Sequence, residues 1–198
     1  MSNSQPSTLL PELFGRMEPG RCLQVLNIGP ALPETVDFFS DFRCKLQFLD
    51  LFDELPLREY EDEPSLAEQF TALLDFKPEP RFDICLFWDI FNYLDRHALG
   101  AFLDALLPYL HPGTLGHGFA VHNVRAQPVE ARYAIASRQE IAARSRSQGL
   151  PGYAPHAQGH LKQMLYCFDF ERSMLLGDGR LEFSLKAKKS RPALAVNN

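Results

Sequence analysis

Leu23 to Phe39, LQVLNIGPALPETVDFF, constrain the fold more than any other stretch. An apolar run interrupted only by Gln24 and Asn27 predicts a strand covered on both faces, which places it centrally in a parallel sheet. Gly29-Pro30 predicts a tight turn. Pro33 followed by Glu34 predicts a helix start, because proline suits the first helical position and an acid suits the positive end of the helix. Open α/β sheets bind ligands at such corners, beside backbone N–H groups that no residue of the helix pairs.

The rest of the chain continues the alternation. Ser7 is placed to cap a short helix carrying Leu9, Leu10, Leu13, Phe14 and Met17, and residues 1–6 before it are expected to be loose. Cys44 to Phe52 reads as a second strand with Asp50 near its carboxyl end. After the acidic connector Asp53 to Pro64, Ser65 and Glu68 form a capping-box pattern ahead of Leu66, Phe70, Leu73 and Leu74. Only about thirty residues separate the second strand from the next strong one, too few for two full crossovers with a strand between them, so one crossover is shortened. Phe82 to Trp88 is a strand, Asp89 to Leu94 a loop at its carboxyl edge, and Asp95 the cap of an amphipathic helix through Leu110.

Leu115 to His122 is a further strand, in which Gly116 and Gly118 permit close approach of a neighbour or ligand. Pro128 to Gln148, with Arg132, Arg138, Arg144 and Arg146, is expected to be helical, and Gly149 to Gly159 a loop. Met164 to Phe170 and Arg180 to Lys188 read as an antiparallel pair joined through Gly177-Asp178-Gly179. Leu181, Phe183, Leu185 and Ala187 alternate with polar residues, which predicts one buried face. The fold class is therefore α/β, a Rossmann-like three-layer sandwich with a mostly parallel sheet, a C-terminal antiparallel hairpin and one shortened crossover. Residues 1–198 are read as one domain, with 190–198 loose.

A net charge of −5 argues against a dedicated nucleic-acid binder. The four cysteines are far apart and lack a CxxC pair, as expected of small buried hydrophobes in a reducing compartment. The N-terminus lacks the pattern of a signal peptide, and no apolar run reaches the ~18 residues of a membrane span. A soluble, cytoplasmic protein with no membrane partner is expected. Sixteen phenylalanines suggest bulky layers on the sheet, or else an exposed aromatic patch. No metal site is expected: His117 and His122 fall on opposite faces of one strand, and His156 and His160 lie among glycine and proline.

The order of elements resembles the class I S-adenosylmethionine-dependent methyltransferases over nearly the whole chain. VLNIGPALPETVDFF stands where that family has VLDxGxGxG, and FLDLF where its second strand ends in an acid. FDICLFWDIFNYLD followed by LGAFLDALLPYLHPGTL is similar to the family's fourth strand, loop, helix and turn into strand five. The resemblance implies S-adenosylmethionine as cofactor, with Asn27, Gly29, Ala31, Asp50 and Trp88 at its site. It places substrate groups at Asn92 and Tyr93, with Asp89 as the catalytic candidate.

The motif departs from the family at three positions. Asn27 replaces the usual acid, and Ala31 and Pro33 stand roughly where two further glycines belong. Alanine adds a methyl group, and proline adds a ring while removing an N–H donor.

Each candidate has a plainer alternative. Asp50 could accept both ribose hydroxyls, or be an exposed acid at a strand end. Gly29 could admit a cofactor to the backbone or simply make the turn. Asp89 could take a proton from the acceptor or cap the loop. Trp88 could stack on adenine or fill the core. The arginines of residues 128–148 could be a solvated face or could meet an acidic partner or phosphate.

Two functions follow. One is methyl transfer to an unidentified small-molecule or protein acceptor. The other is a catalytically inactive descendant of the fold that serves as a binding or assembly module for a protein partner. A dinucleotide-dependent reductase lacks its G-x-G-x-x-G signature here.

Overall fold

The computed structural model describes residues 2–18, 20–77 and 80–188. Its elements run β1 (Ser2–Pro6), α1 (Leu10–Gly15), β2 (Leu23–Ile28), α2 (Pro33–Ser40), β3 (Cys44–Leu49), α3 (Leu66–Leu73), β4 (Ile84–Trp88), α4 (Arg96–Leu106), β5 (Leu115–Val121), β6 (Ala131–Ser137), β7 (Glu140–Ser145), α5 (Gln158–Met164), β8 (Phe168–Leu175) and β9 (Arg180–Ala187). A six-stranded sheet has the order β3-β2-β4-β5-β9-β8. The first four strands are parallel, while β9 runs antiparallel to both β5 and β8. Every residue of β4 is buried, as its unbroken apolar sequence requires of a strand covered on both sides. Among the described residues α3 is the one regular element between β3 and β4, so the crossover is shortened. No helix among the described residues is long and apolar enough to cross a membrane.

Local chemistry sets the helix starts. Ser65 and Glu68 form the reciprocal capping box at α3. Asp95 Oδ1 accepts the His97 and Ala98 N–H groups at 2.9 Å to open α4. Ser7 acts three residues before the start of α1, its hydroxyl accepting the Leu10 N–H at 3.0 Å. No phenylalanine among the described residues is exposed, so the aromatic content builds the core layers.

Three regions differ from the sequence expectation. Residues 128–148 are not helical. They form the β6–β7 hairpin, and Ser2–Pro6, expected to be loose, adds β1 to give a second, three-stranded sheet in the order β1-β7-β6. Alanine, arginine and glutamate favour a helix locally, but burial decides otherwise. Tyr133, Ile135 and Ile141 join the main core, while Ala134 and Ala142 close on Leu32. The strand expected at Met164 to Phe170 begins at Phe168 and is preceded by α5; β8 is mostly exposed, so its own hydrophobic pattern is weak and its pairing with β9 sets its limits. Finally, the polar side of β9 is solvated at Lys186 but not at its start. Arg180 and Glu182 are buried.

Both buried charges tie the sheets together. The Ser7 hydroxyl donates to Glu182 Oε1, and His117 Nε2 lies 2.8 Å from the same oxygen. Burial alone would push the Glu182 carboxyl up, but its bonds to His117 and Ser7 hold it below the ordinary range. The Arg180 guanidinium donates to Asp178 at 2.6 Å, to the Tyr133 hydroxyl at 2.9 Å and to Gln5 Oε1 at 2.5 Å. One side chain thereby links β9 to both β1 and β6.

Gly118 provides the close approach anticipated for it. A Cβ there would lie 2.7 Å from the Trp88 carbonyl oxygen and 2.8 Å from the Phe183 ring. Because a backbone oxygen cannot move aside cheaply, Gly118→Ala is expected to destabilise the fold by about 2–3 kcal/mol, measured by urea unfolding. Gly177→Ala, with nothing within 4 Å, should stay within about 0.5 kcal/mol of the parent.

Candidate functional site

The carboxyl ends of β2, β3 and β4 converge on one edge of the large sheet, where the first turn enters α2. Gly29 makes that turn at φ +140°, a conformation that favours glycine, and its N–H donates to Leu49 O at 2.7 Å. Pro33 occupies the start of α2, where its missing N–H costs nothing. Asn27 is buried beneath the turn. Its Nδ2 donates to Gly29 O at 3.2 Å, and its Oδ1 accepts the Trp88 indole N–H at 3.0 Å.

Trp88 is 1% exposed and stacks on Tyr133 at 5.8 Å. It holds φ +51°, a left-handed conformation that costs a bulky residue about 1–3 kcal/mol and that collects at functional edges. Ala31 is exposed at the tip of the turn.

Asp50 follows β3 directly and is half-buried. Its Oδ1 accepts the Phe52 N–H at 3.2 Å. Burial pushes this carboxyl up and Asp53 adds to the effect, while the Phe52 bond, Arg146 and Arg132 offset it in part. The Phe52 ring lies 3.7 Å from where a Cβ on Gly29 would be, and the Arg146 guanidinium covers that ring at 4.5 Å. The hairpin therefore roofs the turn.

Asp89 sits at the end of β4, followed by a single 3-10 turn over Ile90–Asn92. It is 4% exposed, and its Oδ1 has no hydrogen-bond partner among the described residues. Burial pushes the carboxyl up to about 7, with Arg146 and Arg180 opposing and Glu130 reinforcing the shift. Tyr93 packs edge-on against Phe52 at 6.1 Å and Tyr153 at 5.4 Å, and burial raises its hydroxyl pKa. Asn92 is buried, with its carbonyl accepting the Ala154 N–H at 2.8 Å.

Asn27, Gly29, Asp50, Trp88, Asp89, Asn92 and Tyr93 thus gather at this edge. Tyr133, stacked on Trp88, and Arg146, over Phe52, belong to it too, and sequence reasoning missed them because a helix was expected there. Of the arginines of that region, Arg132 and Arg138 are exposed as a solvated face requires, while Arg144 and Arg146 are half-buried. Arg144 pairs with Glu34 at 2.7 Å, Arg138 lies over Phe42 and Arg146 over Phe52. Tyr133 and Ile135, two apart in β6, carry the strand period that was the available signal.

No protein-family model matches the chain, and no curated protein matches it in sequence. Solved structures do match in shape. An S-adenosylmethionine-dependent methyltransferase from Mesorhizobium loti superposes with a TM-score of 0.55 at 12% identity, covering 91% of this chain and 98% of that one. The N-methyltransferase NodS from Bradyrhizobium japonicum gives 0.51 at 14% identity over 92% and 94% of the two chains. The 1,6-didemethyltoxoflavin-N1-methyltransferase of Burkholderia thailandensis, solved with S-adenosylhomocysteine, gives 0.51 at 17% identity over 86% and 73%.

The protein has the class I methyltransferase fold. In that fold Gly29, Asp50 and Asp89 stand at the carboxyl ends of three adjacent parallel strands. At the ends of β2 and β3 the turn glycine stands beside a half-exposed carboxylate, a group able to accept hydroxyl donors. The side chain of Asn27 is already bonded to Trp88 and Gly29, so it offers less than the acid of the family pattern.

Asp89 also makes stability depend on pH. Its folded pKa lies above the unfolded value, so native protein holds a proton that unfolded chain has lost between about pH 4 and pH 7, and stability falls across that window. Asp89→Asn removes the charge from the buried position. It is expected to stabilise the protein by about 2 kcal/mol at pH 8 and by much less at pH 5, read from thermal melts at the two pH values.

Proposed function

We propose that the protein binds S-adenosylmethionine across the edge formed by Gly29, Asp50 and Asp89, and transfers its methyl group to a small-molecule or protein acceptor. One observation carries this reading. A buried Asp89 carboxyl with an unpaired oxygen stands on the same strand edge as a retained turn glycine and a half-exposed strand-end acid. Gly29 would allow the cofactor to pass close to the backbone, and Asp50 would accept the ribose hydroxyls. When bound, S-adenosylmethionine supplies a methyl group activated on a sulfonium. The chain's own contribution is positioning, through Asn92 and Tyr93, and removal of an acceptor proton by Asp89 Oδ1 where the acceptor carries one.

A second reading, a non-catalytic binding module, is favoured by the same edge seen from above. Phe52 and Trp88 are buried against the turn, and Arg146 covers Phe52.

Calorimetric titration with S-adenosylhomocysteine separates the two. Binding that weakens about tenfold in Asp50→Ala supports the methyltransferase reading. Absence of heat and of any thermal shift at millimolar ligand supports the module.

A further inference from the structure

We propose that the cleft between α4 and α5 binds the phosphate group of a small phosphomonoester. The cleft encloses about 520 Å³, a volume in the range of small-molecule sites. Arg96 and Gly100 of α4 form one wall, and His160, Gln163 and Met164 of α5 the other, with the rings of His156 and Tyr166 between them. Residues 154–156 join it to the carboxyl end of β4. The Ala154 N–H donates to Asn92 O at 2.8 Å, and His156 Nε2 lies 2.7 Å from Leu94 O.

Helical spacing builds both walls. Arg96 and Gly100 are four apart on α4, and Gln163 and Met164 follow His160 by three and four on α5, so each set shares a helix face. Gly100 makes the room. Glycine weakens the interior of a helix relative to alanine, yet a Cβ at this position would meet nothing within 4 Å. Packing does not demand a glycine here, whereas a ligand lying against that turn of α4 would.

The polar groups of the cleft are donors. Arg96 offers five N–H groups, His160 an imidazole and Gln163 an amide, and no carboxylate is among the described residues that line it. Glu59 and Asp104 border a separate hollow, where His97 lies 3.7 Å from Glu59 and the Tyr166 hydroxyl donates to Asp104. Donors gathered without acids, in a chain of net charge −5, make a local site for an anion. The described residues hold no group of three His, Cys, Asp or Glu able to bind a metal, which leaves anion recognition as the chemistry of the imidazoles.

One arginine fork satisfies a planar carboxylate. Donors that reach in from two helices suit a tetrahedral phosphate with three terminal oxygens. The Tyr166 ring is 43% exposed and Met164 lies beside it on the same wall, a surface for the organic part of the molecule. This site stands apart from the methyltransferase reading, and its test needs no cofactor.

Calorimetric titration of the full chain with phenyl phosphate, inorganic phosphate and benzoate tests the proposal. Phenyl phosphate is expected to bind about tenfold tighter than either of the other two. Arg96→Gln and His160→Gln should each weaken it about tenfold, with thermal melts like the parent's because both side chains are exposed. Gly100→Leu should abolish binding by filling the cleft, without lowering the melt. His97→Gln, in the neighbouring hollow, should leave the affinity unchanged. If Gly100→Leu does not fold, Arg96→Gln and His160→Gln decide. Benzoate binding as tightly as phenyl phosphate overturns the assignment to phosphate, and inorganic phosphate binding as tightly overturns the monoester. Absence of heat with every probe, or binding that survives both Arg96→Gln and His160→Gln, overturns the site.

Discussion

The indole of Trp88 is the contact on which the rest of the site depends. It stands at the end of the central buried strand, bent out of the extended conformation to φ +51°. Its N–H reaches Asn27 under the first turn, and its ring carries Tyr133 of the hairpin. A β-bulge falls at the same place, where the register between β4 and β5 shifts from Leu86 to Trp88. The strained backbone re-aims one large side chain so that it joins the turn, the large sheet and the small sheet. The carbonyl of Trp88 in turn requires glycine at position 118 on the next strand.

The small sheet is the main departure from a plain three-layer sandwich. Its strands come from the N-terminus and from the connection after β5, and they are held by polar groups rather than by apolar area alone. Arg180 reaches Asp178, Tyr133 and Gln5, Thr35 Oγ1 accepts the Ile135 N–H at 3.1 Å, and Arg144 pairs with Glu34 at the start of α2. Charged groups with several directional bonds fix the geometry of a small element that could not bury enough surface to hold itself. The same element brings Arg146 over Phe52 beside Gly29, so the shape of the candidate site follows from how the hairpin docks.

Much of the large sheet was legible because its signals are local. The apolar runs at Leu23 and Phe82, the Gly29-Pro30 turn, the Ser65 capping box and the Asp95 cap each have a nearby physical cause. The short interval between Cys44 and Phe82 announced the shortened crossover by chain length alone. The hairpin was not legible, because residues 128–148 are rich in helix formers and their strand period is carried by a few positions such as Tyr133 and Ile135. The buried Glu182 was hidden for a similar reason. It alternates with apolar residues as a solvated residue would, and only the arrival of Ser7 and His117 makes its burial tolerable.

The chain's own order of strands, turns and caps determined the parallel core and placed Gly29, Asp50 and Asp89 at its carboxyl edge, because hydrophobic period and helix-start chemistry act over a few residues. Tertiary structure alone decided that β1 pairs with β7 and that Trp88 is engaged by Asn27 and Tyr133. Those contacts join residues from 45 to 142 positions apart, and no local propensity reports a partner at that distance.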